Sequence, residues 1–217
     1  MLKILKREKI EWREPWVILM SYLGLLLIFS ILRIPLEQTY PDLSPLFFSK
    51  AVATFSLLVS LFYCFWKYSL FSKDELIPRG KDFVVLGGAL IVDILFFGLT
   101  VGRSGFQSIE GFNALAGFEY WAIVLKLTVF GPFMEELFMR RYLWEIFAFL
   151  YSPPRAFLII VCVGTAFHMY SGIALFNILS HIFASSLFTL TYIKSRRVVV
   201  PFIVHSFHNT LIQILSH

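Results

Sequence analysis

Charge is what this chain has least of. Only 15% of its 217 residues are Asp, Glu, Lys or Arg, while 58% are hydrophobic and 18% aromatic. So little polar surface cannot clothe a domain of this length in water, which argues against a soluble globular protein. Cysteine is scarce too. Cys64 and Cys162 are the two, neither in a CxxC spacing, so a disulfide framework and a cysteine-based metal site are not indicated. The chain lacks an HExxH segment, and no small-residue cleavage site follows the first apolar run, so the first span reads as a retained helix and not a signal peptide. It also lacks repeats, low-complexity tracts and any stretch with the composition of a soluble domain.

What is present is hydrophobicity in blocks. Each is about 20 residues long, the length a helix needs to cross ~30 Å of hydrocarbon. Spans are expected at 15–36, 47–71, 83–101, 119–150, 155–170, 173–193 and 198–215. The fold class expected is an all-α polytopic transmembrane bundle of about seven spans, with residues 1–217 forming a single integral membrane domain. The fourth block is long for one crossing, and Gly131-Pro132 within it removes a helix hydrogen bond, so that span is expected to be kinked or broken. Gly87-Gly88 and Gly98 are expected to allow close helix approach.

Cations collect before span one (Lys3, Lys6, Arg7, Lys9, Arg13), around the second connector (Lys67, Lys73, Arg79, Lys81) and before the last span (Lys194, Arg196, Arg197). In a seven-span chain all three fall on one side, which makes the N-terminus cytoplasmic and the C-terminus external, in a bacterial or archaeal plasma membrane. The net charge of +5 follows from that pattern and calls for a lipid bilayer as partner, with no nucleic acid.

An ionised side chain at mid-bilayer depth costs ~2.5–3.5 kcal/mol, so polar groups kept there face a protein interior and mark function. Three groups stand out: Glu135-Glu136 with Arg140, His168 at the end of span five, and His205 with Asn209. Glu136 and Arg140 are four apart and share a helix face, where they neutralise each other, while Glu135 is turned ~100° away. Ser152-Pro153-Pro154 marks a helix hairpin. Glu135 precedes Ser152 by 17 residues and His168 follows Pro154 by 14, so both lie ~20–25 Å from that turn and meet across antiparallel helices. His205 and Asn209 share a face at similar depth. For His208 a structural role is expected. Asp93 is a lone acid in span three, and Asn177 and His181, four apart in span six, suit interhelical hydrogen bonding.

The order Glu135-Glu136-x-x-x-Arg140, then His168, then His205-x-x-x-Asn209 resembles the CPBP family of intramembrane proteases, the CAAX-processing and bacteriocin-processing enzymes. The resemblance covers roughly residues 119–213, the motif-bearing core. It implies an intramembrane endopeptidase of glutamate type acting on a peptide or membrane-associated, prenylated or unprenylated, protein. Glu135 would activate a water, His168 would assist it, and His205 with Asn209 would stabilise the oxyanion, Glu136 and Arg140 being supports. No cofactor is then required. One departure is visible: the family's second motif reads Phe-x-x-x-His, and Gly164 stands where the phenylalanine belongs.

The same atoms admit a metal reading, with zinc on Glu135, His168 and His205 and an open position for water. Two further classes stay open. A polar-cluster transporter would need paired broken helices, and no second Glu-Glu-x-x-x-Arg copy is found. A non-catalytic, immunity-type membrane partner of the same fold would keep much of the motif and is separated by activity alone.

Overall fold

The structure is a computed structural model and describes residues 13–40, 44–67, 73–100, 117–168 and 175–215. Apart from short turns and connectors these residues are helical: α1 (Glu14–Thr39), α2 (Pro45–Lys67), a 3-10 turn at Lys73–Leu76, α3 (Gly80–Thr100), α4 (117–150), α5 (Pro153–Ala166), α6 (Leu175–Ser195) and α7 (Val199–Leu215). Seven helices stand where seven spans are expected. Residues 68–71, 101, 169–170 and 173–174 of those expected spans, and the cations from Lys3 to Lys9, lie outside the described residues.

Three segments are long and apolar enough to cross a membrane by length and composition: Glu14–Leu36, Phe47–Trp66 and Asp74–Thr100. Their outward faces carry Met20, Leu27, Ile31, Phe62, Val84 and Leu99, exposed apolar side chains that only a lipid solvent makes favourable. The chain is an integral membrane protein. α4 keeps Glu136, Arg140 and Arg141 buried and α7 keeps His205 and His208 buried, where neighbouring helices shield them from lipid.

α4 is the axis of the bundle. Phe138, Leu143 and Phe147 on it are fully buried and pack with Leu61 and Cys64 of α2, with Ile18 and Tyr22 of α1, and with Ala156 and Ile160 of α5. A second core joins α3, α6 and α7 through Ala89, Ala184, Leu187, Phe188 and Val204.

The expected break in the fourth span takes the form of two wider, π-helical turns, Lys126–Phe130 and Leu137–Trp144, on either side of Gly131–Glu136. Gly131 donates its N–H to the Lys126 carbonyl five residues back. A Cβ at Gly131 would lie 2.6 Å from that oxygen, so only glycine fits the turn. Gly87, Gly88 and Gly98 correct the expectation of close approach: a Cβ on any of them meets nothing within 4 Å. Exposed hydrophobic neighbours such as Leu95 and Leu99 show this helix presenting much of its surface to lipid.

Polar ties fix which ends lie together. Arg197, at the head of α7, reaches Asp82 of α3 at 2.7 Å and donates to the carbonyls of Asp74 and Ile77. Arg141 of α4 meets Glu75 at 2.5 Å, and Glu145 accepts from Arg196 and from the Tyr192 hydroxyl. The second and sixth connectors therefore share one end of the bundle, as the cation pattern requires. At the other end Glu119, in the first turn of α4, accepts from the Ser44 N–H at 2.7 Å, and Ser44 in turn caps α2 through the Phe47 N–H.

Candidate active site

The core of the site is a pair of adjacent glutamates with different surroundings. Glu136 is fully buried, and its Oε1 accepts from Arg140 Nη1 at 3.1 Å and from His205 Nδ1 at 2.8 Å. Arg140 spends its other terminal nitrogen on the backbone and hydroxyl oxygens of Ser185 in α6. One ion pair thus joins α4, α6 and α7, and the expected partnership of Glu136 with Arg140 is present.

Glu135, 28% exposed, faces the other way. Its Oε2 lies 4.0 Å from His168 Nε2 and 3.9 Å from His205 Nε2. Those separations exceed a direct hydrogen bond and match the spacing that one bridging water spans. Each imidazole is held by its far nitrogen. His168 Nδ1 donates to the Gly164 carbonyl at 2.9 Å, with Nε2 on the side of Glu135. His205 Nδ1 is held by Glu136, and the ring lies flat on Phe188, with centroids 4.4 Å apart. The sequence-predicted Glu135, His168 and His205 are therefore brought to one point.

Asn209 sits one turn beyond His205 but is tied elsewhere. Its Nδ2 donates to the Leu127 carbonyl at 2.8 Å, within the first π turn of α4. In that register the partner of Leu127 O would be the N–H of residue 132, and Pro132 has none. Asn209 fills that vacancy. One of its two amide hydrogens is committed there.

Several members of the site carry no motif signature. His208 is paired: its Nδ1 donates to Asp93 Oδ1 of α3 at 2.9 Å, which gives the lone acid of span three its partner. Phe188 stacks on His205, meets His208 edge-on and lies under the Arg140 guanidinium. Lys50 of α2 and Lys126 of α4 are in electrostatic reach of Glu135, and line a cavity of about 280 Å³ with Phe47, Thr54, Phe55 and Ile123. Their depth in two different spans could be counted in the sequence, but their common face could not. The side chain of Asn177 lies outside the described residues.

Gly164, the departure from the resembled motif, has a structural reason. A Cβ there would lie 2.5 Å from Ser185 Oγ and 3.3 Å from Ser185 Cβ, so α5 and α6 touch at this point and no phenylalanine fits. Phe167 does not replace it, because its ring packs on Tyr22 of α1. Among the described residues no group of three or more His, Cys, Asp or Glu side chains is arranged to hold a metal ion.

A helical bundle with outward apolar faces and a carboxylate between two anchored imidazoles defines an integral membrane protein with a polar cluster among its helices. Comparison with known proteins narrows the class. Residues 117–211 match the family described as type II CAAX prenyl endopeptidase Rce1-like, so the resemblance carried by the three motifs is borne out over that segment. UPF0177 protein YbdJ of Lactococcus lactis subsp. lactis (strain IL1403) is 31% identical over 106 residues, which cover 44% of this chain and 46% of that protein. The chain thus spans about half the length of this curated relative. No solved structure matches.

Proposed function

We propose that the protein is an intramembrane endopeptidase that hydrolyses a peptide bond with a water activated by Glu135. The observation that carries this reading is the position of Glu135 Oε2, about equidistant from two imidazole Nε2 atoms whose Nδ1 atoms are already engaged. Water held there attacks the scissile carbonyl carbon as Glu135 takes one of its protons. The tetrahedral oxyanion is met by the His205 ring and by the second amide hydrogen of Asn209. When the C–N bond breaks, Glu135 returns the proton to the leaving nitrogen. His168 orients the water through Nε2. Glu136 and Arg140 hold His205 in place and do not touch substrate. The substrate is a peptide or a membrane-associated protein, and the match to a prenyl endopeptidase family supports lipidated chains among the candidates.

A competing reading places zinc on Glu135, His168 and His205. Anchored Nδ1 atoms are a feature that metal-binding histidines also show, but the three side chains as they stand do not form a metal-holding group. Detergent-purified protein incubated with a quenched-fluorescent peptide library, with and without a strong chelator, tests both. Cleavage that survives chelation supports the glutamate mechanism. Cleavage lost to chelator and restored by zinc replaces it with the metal one, and the absence of cleavage across peptide and lipidated substrates points to a non-catalytic membrane partner.

A further inference from the structure

The hydrolytic scheme above makes no use of Lys50 and Lys126. Lys50 is on α2 and Lys126 on α4, both are half-buried, and both are in electrostatic reach of Glu135. A cation kept inside a membrane bundle is costly, so its retention points to a use. The two share the wall of one cavity of about 280 Å³, and among the described residues they are the only charged groups that line it. The rest of the wall is largely apolar: Ile123 is buried, while Phe55 and Leu58 are exposed, so the cavity opens on the lipid-facing side of the seam between α2 and α4.

Side chains on a helix lean toward its N-terminus, yet Lys126 reaches the other way. A Cβ on Gly131 would stand 3.5 Å from both its Cε and its Nζ, so the ammonium lies over Gly131. That puts it four residues, or ~6 Å of helix rise, before Glu135. An extended peptide advances ~3.3–3.6 Å per residue, so a group held by Lys126 belongs to a residue within about two positions of a bond attacked at Glu135. Two positive charges here face the single negative charge of Glu135, the Glu136 charge being matched by Arg140. The cavity is slightly below the ~300 Å³ at which small-ligand pockets begin, room for one side chain or one chain end.

We propose that Lys50 and Lys126 are specificity-determining residues that bind a carboxylate of the peptide substrate, carried by an acidic side chain or by the chain end within about two residues of the cleaved bond. The apolar wall takes the carbon atoms of the same residue. The proposal deepens the protease reading above and rests on it for the identity of the ligand as a peptide.

The test uses full-length protein in phosphatidylcholine nanodiscs and a peptide that the wild type cleaves. Versions of it carry Glu or Gln at the positions flanking the cleaved bond, and end in acid or amide. The wild type is expected to prefer one carboxylate over its neutral counterpart about tenfold or more in kcat/KM, chiefly through KM, and the pair that shows it identifies the source. That ratio falls to near one in Lys50→Gln with Lys126→Gln, persists in Lys50→Arg with Lys126→Arg, and turns toward a Lys-bearing peptide in Lys50→Glu. A merely structural role for the lysines lowers cleavage of both versions alike and leaves the ratio untouched. A wild-type ratio near one, or a ratio that survives the double Gln substitution, overturns the proposal. Anisotropy of the same peptides, fluorescently labelled, reads binding without any reaction. A lysine-dependent carboxylate preference in a protein that cuts no peptide sustains the site and places the failure in the protease reading. Lysine-dependent retention of added phosphatidylglycerol, with no carboxylate preference among the peptides, gives the cavity to a lipid and overturns the proposal.

Discussion

Removing the Arg140 side chain leaves Glu136 fully buried with only His205 to oppose its charge. Breaking a buried pair from one side costs ~3–5 kcal/mol, so Arg140→Ala is expected to lose folded protein, seen as aggregation in size-exclusion chromatography and a fall in thermal midpoint. A monodisperse Arg140→Ala with unchanged melting would contradict the pairing. The Asp93 and His208 pair behaves differently. Asp93→Ala strands a buried imidazole N–H and costs ~1–3 kcal/mol, whereas replacing both partners by apolar residues is expected to be close to neutral in the same melts. These two pairs also show what a sequence displays at this scale. Glu136 and Arg140 are one helical turn apart, so their partnership is local and readable. Asp93 and His208 are 115 residues apart, and nothing short of the packing of α3 on α7 joins them.

At the level of the helices, the π turns of α4 decide where the site falls. Gly131-Pro132 announces an irregularity in the sequence, but whether the chain kinks, breaks or widens depends on what satisfies the freed carbonyls, and that partner comes from α7. The account makes Asn209 partly a substitute for the N–H that Pro132 lacks. Pro132→Ala restores this donor, so Asn209→Ala is expected to destabilise the wild type by ~1 kcal/mol and the Pro132→Ala protein by less, a coupling measured with a double-mutant cycle in thermal melts. Additive effects would show that the two residues act separately. Gly131→Ala, with its Cβ 2.6 Å from the Lys126 carbonyl, is expected to cost ~1–3 kcal/mol and to lower activity through the displaced Glu135. The seven hydrophobic blocks were legible because bilayer thickness fixes helix length. The glycines were not: Gly87, Gly88 and Gly98 have the composition of close contacts, yet Gly131 and Gly164 make them, because neighbours and not spacing decide which helix face is covered.

Across the whole molecule, Arg197 with Asp82 and Arg141 with Glu75 gather one set of connectors, and Ser44 with Glu119 marks the opposite end. From the cation pattern we propose that the first end is cytoplasmic. In a background with Cys64 and Cys162 replaced, a membrane-impermeant thiol reagent is expected to label Arg79→Cys only in inside-out vesicles and Glu119→Cys only from outside; the reverse labelling would invert the topology. The meeting of Glu135 with His168 was foreseeable from depth arithmetic, since 17 and 14 residues separate them from the Ser152-Pro153-Pro154 turn; His205 stands only eight residues beyond Arg197, and packing brings it level with them. The supporting shell of Ser185 and Phe188 was not, because α6 carries no motif and its register is set by contact with Gly164. The central claim is that Glu135 activates the water. The most direct measurement is kcat/KM of Glu135→Gln beside wild type on one cleaved peptide, with thermal midpoints recorded for both. The account predicts a loss of at least about 10³-fold with the midpoint nearly unchanged; cleavage retained within tenfold in a folded Glu135→Gln protein would contradict it.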